Sequence, residues 1–211
     1  MQLGWSTTEM AQRVAQEIPD GSHVNVGIGL PTLVLDQLPP GKQVFFQTEN
    51  GLLGMGPPAT AGQADPDLVD AGKRPITYVK GAAFFAQSES FEMMRGGHID
   101  LTIIGAFQVS ETGDLANCLI PGFPPSIGGA MDIAVGARRT IVITQHTTKE
   151  GEPKILRRCS YPLTAQRVVD LIVTNLGVFE ITPRGVLVKE RHPGVSLEQI
   201  QDMTEARLIP G

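Results

Sequence analysis

A glutamate flanked by Thr48 and Asn50 leads into Gly51-Leu52-Leu53-Gly54-Met55-Gly56-Pro57, and this stretch is the clearest place for chemistry in the 211-residue chain. A free glutamate titrates near ~4.3, so such a carboxylate is ionised at neutral pH without a helper base. A loop with three glycines presents few side chains, so a bulky ligand can approach its backbone closely. Val44-Phe45-Phe46-Gln47 immediately before it reads as a short buried strand. Glu49 therefore falls at the carboxyl end of a strand, where open α/β sheets place their chemistry. The same residues also read as an exposed loop glutamate beside a glycine turn.

Other segments carry weaker signals. Ser126-Ile127-Gly128-Gly129-Ala130-Met131-Asp132 puts adjacent glycines before a short helix. Backbone N–H groups at a positive helix end can hold an anion or a developing oxyanion, although a flexible helix start uses the same residues. Gly27-Ile28-Gly29-Leu30-Pro31-Thr32 begins like a dinucleotide fingerprint and then fails, because Thr32 stands where glycine or alanine is needed. Lys73 sits near Asp65, Asp67 and Asp70, as a solvated surface lysine would, and His98 after Arg95-Gly96-Gly97 reads as a structural histidine. There is no Gly-x-Ser-x-Gly elbow and no Cys/His signature of a conventional triad. His23, His98, His146 and His192 are scattered, and no metal site is expected. Cys118 and Cys159 match no metal or redox spacing and read as buried, reduced thiols of a cytoplasmic protein.

The elements that must hold these residues follow from hydrophobic spacing. Ser6-Thr7-Thr8-Glu9 has capping-box spacing before Met10, Val14 and Ile18, so a first helix starts at Ser6 and stops at Pro19. Strands are predicted at 23–29, 44–47, 76–79, 101–105 and 140–144, helices from Pro31, at 88–95 and 130–135, and a long loop from Gly51 to Gly72. The segment 163–173 reads as a helix from Val168, Leu171 and Ile172 on one face, Val178–Ile181 with Val186–Val188 as a hairpin, and Ser196 as the cap of a last helix. Fully apolar strands alternating with helices predict a single α/β domain: an open, mostly parallel sheet with helices on both faces and some antiparallel edge. The formal charge of -5, with no Lys/Arg run longer than two residues, argues against a nucleic-acid partner. No segment approaches the ~20 apolar residues of a membrane span, and 1–19 lacks the apolar centre of a signal peptide.

Taken in order, several segments together resemble the B (beta) subunit of the family I 3-oxoacid CoA-transferases. They are Asn25 with Gly27-Ile28-Gly29-Leu30-Pro31, Glu49 to Pro57, Ala71-Gly72-Lys73, Met94 to His98, Gly105 to Ser110, Gly113-Asp114-Leu115-Ala116-Asn117 and Gly128 to Asp132. Both the succinyl-CoA:acetoacetate and the 3-oxoadipate types are similar. The resemblance implies a CoA-transferase-like fold and a catalytic nucleophile in Glu49, which passes CoA from an acyl-CoA to a 3-oxo acid, ping-pong, through a glutamyl-CoA thioester. It implies oxyanion contacts from Gly129 and Ala130, and a substrate and CoA pocket from Asn25, Gly27, Gly29, Asn50, Gly51, Lys73, Gln108, Asn117 and Gly128. It further implies no metal or nucleotide cofactor, with CoA itself a substrate, and an A (alpha) chain of the CoA-transferase as partner in an AB or A2B2 hetero-oligomer. An acyl-CoA hydrolase of the same fold and a non-catalytic CoA-binding relative are the alternative readings. Thr48 replaces the family's usual serine, and Cys118 replaces the tryptophan that usually follows the Asp-Leu-Ala-Asn motif. The segment 120–126 also lacks the lysines of the acetoacetate type, so the acid substrate stays open.

Overall fold

The computed structural model describes residues 3–60, 62, 64–70, 72–120, 122 and 128–211. Ala71, most of the 120–126 segment, and the Ser126-Ile127 start of the second glycine loop lie outside the described residues. Helix α1 (Thr7–Gln16) begins at the capping box expected from the sequence: the Ser6 N–H donates to Glu9 Oε2 at 2.7 Å, and the Glu9 N–H to Ser6 Oγ at 3.3 Å. Its apolar stripe of Met10, Ala11, Val14 and Ala15 is buried. Strand β1 (His23–Val26) follows, then a 3-10 helix (Leu30–Gln37) in which the Thr32 N–H reaches back only to the Gly29 carbonyl.

Next come β2 (Phe45–Thr48), β3 (Leu52–Pro58), β4 (Ile76–Phe84), α2 (Gln87–Arg95), β5 (Leu101–Ile104), β6 (Gln108–Ser110) and β7 (Leu115–Ala116). The chain continues through α3 (Ala130–Gly136), β8 (Thr140–Ile143), β9 (Ile155–Leu156), β10 (Leu171–Val173), β11 (Gly177–Thr182) and β12 (Gly185–Arg191), and ends with α4 (Leu197–Asp202) and β13 (Leu208–Pro210). Ten strands form one sheet in the order β13-β12-β11-β10-β8-β5-β1-β2-β3-β4, and β7-β6-β9 form a small second sheet. The central run β10-β8-β5-β1-β2 is parallel, while β2-β3-β4 on one side and β10-β11-β12 on the other are antiparallel. The antiparallel part is thus larger than an edge.

Alternation within the central strands sends side chains to two cores. Ile103, Ile141, Ile143, Leu171 and Val173 pack with α1 and the 3-10 helix; Ile104, Val142 and Ile172 pack with Met94, Ile133 and Ile200 from α2, α3 and α4. Each such side chain contributes roughly 1.5–3 kcal/mol on burial. This two-sided burial is why these strands read as unbroken apolar runs.

Two sequence expectations fail. The first is the loop beginning at Gly51, since Leu52–Pro58 is a strand held between β2 and β4. Its glycines disguise it: Gly54, at φ +93°, sits where the β3–β4 register shifts, the place a bulge wants glycine. The second is the 163–173 helix. Only Leu171–Val173 is regular, and it is a strand. The helical spacing of Val168, Leu171 and Ile172 is coincidental. Arg167 adopts φ +53°, and the Val168 and Val169 N–H groups both donate to the Gly113 carbonyl. The two cysteines are half-buried rather than buried, and burial pushes the Cys159 thiol up to about 11.

His146 is the buried histidine of the fold, 1% exposed, with Nδ1 at 2.9 Å from Thr174 Oγ1 and Nε2 at 2.8 Å from Thr204 Oγ1. Burial lowers its pKa to about 4. The folded state therefore binds this proton less readily than the unfolded chain. The resulting stabilisation is complete above about pH 6.5 and is lost as pH falls toward 4, by ~3 kcal/mol in all. Denaturant unfolding of wild type and His146→Gln between pH 7 and 4 checks this: the gap between the two should narrow on acidification, and a constant gap would refute it.

Candidate active site

The parallel strands all point their carboxyl ends the same way, and the chain reverses its winding at β1. From β1 it passes to β2 on one side, and later to β5 on the other. Crevices outside such switch points are where open α/β sheets bind ligands. Gly27 and Gly29 leave the end of β1, Glu49 leaves the end of β2, and Gly105 leaves the end of β5.

Glu49 heads the turn between β2 and β3, which the Gly51 N–H closes by donating to the Thr48 carbonyl at 3.1 Å. Gly51 is obligatory: its φ is +113°, and a Cβ there would run into the Phe85 carbonyl oxygen. The buried Thr48 hydroxyl accepts the Leu52 N–H at 3.1 Å, so threonine serves the turn here. Beneath the turn runs a buried chain of polar groups. Asn25 Nδ2 donates to Gln47 Oε1 at 2.7 Å, Gln47 Nε2 donates to Ser90 Oγ, and Ser90 Oγ donates to the Thr48 carbonyl at 3.1 Å. These contacts tie β1, β2 and α2 to the residue just before the glutamate. Asn25 Oδ1 is buried without a partner among the described residues.

The other wall is the start of α3. A Cβ placed on Gly129 would lie 2.5 Å from Glu49 Oε2 and 2.7 Å from the Phe91 ring. Only glycine lets the backbone come this close to the carboxylate. Gly128 turns the chain into this position at φ +50°, and Gly129 is the N-cap of α3. The N–H groups of a first helical turn have no acceptor within the helix, and Ala130 opens the first turn of α3 directly after Gly129. Helix α3 is held against α2 by Arg95, which donates to both carboxylate oxygens of Asp132 at 2.8 and 3.1 Å and stacks over Phe91. The Arg95 contact holds the Asp132 carboxyl below the usual range.

The coenzyme A transferase family matches residues 7–203. This chain belongs to that family. It is 51% identical over 203 residues to the B subunit of the 3-oxoadipate CoA-transferase of Acinetobacter baylyi, covering 95% of this chain and 94% of that one. The B subunit of a probable succinyl-CoA:3-ketoacid coenzyme A transferase of Bacillus subtilis is 50% identical over 198 residues, with 93% and 92% covered. An acyl-CoA transferase of Escherichia coli has the same fold at TM-score 0.79 and 20% identity, across all of this chain and 42% of that one.

The remaining residues expected in a coenzyme A transferase pocket fall into two groups. Asn50 and Lys73 belong to one loop system beside Glu49: Asn50 Nδ2 donates to the Val69 carbonyl at 3.2 Å, and the Lys73 N–H donates to the Asp70 carbonyl. The buried Asp70 carboxylate accepts from the Arg74 guanidinium and N–H, leaving the Lys73 side chain exposed. Gln108 and Asn117 instead organise loops. Gln108 Oε1 accepts the Ser160 and Tyr161 N–H groups at 2.8 and 3.0 Å. Asn117 spans from the Gly105 carbonyl, at the end of β5, to the Thr164 hydroxyl. Gln47, Ser90 and Phe91 are not evident from the sequence. Asn25 and Gln47 are register partners on adjacent parallel strands, so a polar residue at the same place in two apolar runs is the available signal.

Gly129→Ala tests the close approach. The nearest contacts of the new methyl are two side-chain ends, the Glu49 carboxylate and the tip of the Phe91 ring, and no backbone atom, so the fold should hold while turnover falls on the order of 100-fold, the usual cost of ~1 Å of misplacement. Thermal melting and steady-state rates measured together check this, and wild-type rates in the variant would refute it.

Proposed function

We propose that this chain is the B subunit of a CoA-transferase that moves CoA from succinyl-CoA, or another acyl-CoA, to a 3-oxo acid. The observation that carries the reading is the Glu49 carboxylate against the Gly129 backbone at the carboxyl ends of β1 and β2. An ionised glutamate attacks the thioester carbonyl of the donor, expelling CoA thiolate and leaving a mixed anhydride. The thiolate then attacks the Glu49 acyl carbon, giving a glutamyl-CoA thioester and the free donor acid. The acceptor acid runs the same two steps backwards and leaves as its CoA ester. Each step exchanges one acyl bond for another, so neither metal nor nucleotide cofactor is required. The negative charge on each tetrahedral oxygen is met by N–H groups of Gly129 and Ala130. Asn25, Gly27 and Gly29 line the approach, Asn50 and Gly51 hold the turn, and Lys73 meets CoA phosphate as a point charge.

The site is half of a larger one, completed by the A chain of the transferase. Supporting this, exposed apolar side chains surround the crevice: Ile28, 64% exposed, between Gly27 and Gly29, and Phe84, 60% exposed, opposite Leu52 in the β3–β4 ladder. Met131 and Val135 on α3 are also open. Large apolar side chains left open on loop, strand and helix around one site suit a protein interface. The relatives' names divide between 3-oxoadipate and 3-ketoacid substrates at nearly equal identity, so the acceptor is stated as a class: acetoacetate or 3-oxoadipate. Among the described residues no helix is long and apolar enough to cross a membrane, which fits cytoplasmic work.

Incubating this chain and its A partner with succinyl-CoA, trapping with borohydride or hydroxylamine and weighing the peptides tests the mechanism. Modification should fall on Glu49 alone and vanish in Glu49→Gln. An unmodified Glu49 in an associated, folded complex would refute it.

A further inference from the structure

At the opposite end of the sheet from Glu49, the amino end of β10 and the turn between β11 and β12 border an open cavity of about 910 Å³. Four arginines line it: Arg157, Arg167, Arg184 and Arg207. Among the described residues none of the four makes an ion pair. The carboxylates in the lining are Glu111 and Asp170. Asp170 Oδ2 accepts the neutral Thr140 N–H at 2.7 Å, so both carboxylates count, and four guanidinium groups face two of them. The lining therefore holds a surplus of positive charge in a chain whose formal charge is -5. Water and salt screen these exposed guanidinium groups from one another, and their shared positive potential still favours an anion between them.

Hydrogen bonds hold the backbone around these side chains. Asp114 Oδ1 accepts the Arg167 N–H at 3.1 Å, and its Oδ2 accepts the Ser110 and Thr112 hydroxyls, which fixes one wall. Arg167 is held at φ +53°, a left-handed conformation that costs a non-glycine residue energy and concentrates at ligand clamps. On the other wall, Thr182 Oγ1 donates to the Gly185 carbonyl and accepts the Arg184 N–H. Among the described residues, none of the large exposed apolar side chains lies in the lining. A protein interface would want such anchors, so the cavity suits a small ligand better.

We propose that this cavity binds a small polyanion, a metabolite carrying at least two phosphate or carboxylate groups, at a site separate from Glu49. Paired arginine forks suit both groups, since each can donate two parallel N–H bonds to phosphate or carboxylate oxygens. The site lies at strand amino ends and the Glu49 crevice at strand carboxyl ends, so a molecule bound here leaves the transfer site open.

Calorimetric titration with pyrophosphate and with citrate, at fixed ionic strength, tests this on the full chain and on its complex with the A partner. One equivalent of at least one probe should bind, and the stronger of the two names the source of the charge. Arg167→Gln/Arg207→Gln should weaken that binding by at least about tenfold, while Arg158→Gln, a neighbouring exposed arginine outside the lining, should not. All three positions are exposed, so the fold tolerates the changes. Absence of saturable binding, equal binding by the double variant, or binding by the free chain that disappears in the complex would each overturn the proposal, the last by making this face an interface. Binding is read directly, so the result does not depend on whether the transfer mechanism holds.

Discussion

Burial of the central strands on both faces constrains everything else in this molecule. Helix α1 and the 3-10 helix cover one face of β1, β5, β8 and β10, while α2, α3 and α4 cover the other. A strand sealed in this way has no face on which to display a reactive group to water. Its only openings are its ends. The parallel direction of the central run then gathers all carboxyl ends on one side, and the reversal at β1 is where such a sheet opens a crevice among them. Glu49, Gly27, Gly29 and Gly105 occupy that crevice because the sheet leaves nowhere else for them.

The polar residues admitted into this sealed layer are few, and most are joined to one another, although Asn25 Oδ1 and the Thr102 hydroxyl stay without a partner among the described residues. Asn25, Gln47 and Ser90 form one hydrogen-bonded chain, and its last acceptor is the carbonyl preceding Glu49. Buried polar groups are costly unless partnered, and a partnered set specifies one geometry. The glutamate turn is therefore referenced to two strands and a helix at once. The Gly129 wall is referenced to the same helix through Phe91 and the Arg95–Asp132 fork. Helix α2 is thus the common datum of both halves of the site, although it contributes no reactive group.

Much of this frame is legible in residue order. The Ser6–Glu9 box, the Pro31 helix start, the apolar runs at 101–104 and 140–143 and the glycines at 128–129 each obey a local rule, and local rules survive folding. The failures share a cause. Leu52–Pro58 is a strand because β2 and β4 flank it, despite glycines and prolines that alone say loop. The 163–170 stretch is irregular because its N–H groups find the Gly113 and Leu115 carbonyls, a partner far away in sequence. The juxtaposition of Glu49 with Gly129 is of the same kind: each residue can be singled out alone, while their contact depends on α2 and α3 packing, which no local pattern records. Asn25 and Gln47 look like interruptions of apolar strands until their register makes them a pair.

The last strand of the sheet on the β4 side carries a consequence for the life of the chain. Among the described residues strand β4 pairs on one side only, and Tyr78, Val79 and Phe84 stand more than two-fifths exposed along it. Lys80 and the register shifts toward β3 are the modest guards such a margin keeps against edge-to-edge pairing. A newly made copy released alone into a crowded cell is therefore sticky at that margin. Synthesis in step with whatever covers it would keep the pool of orphan chains small, and overproduction of this chain by itself would load the machinery that clears aggregates.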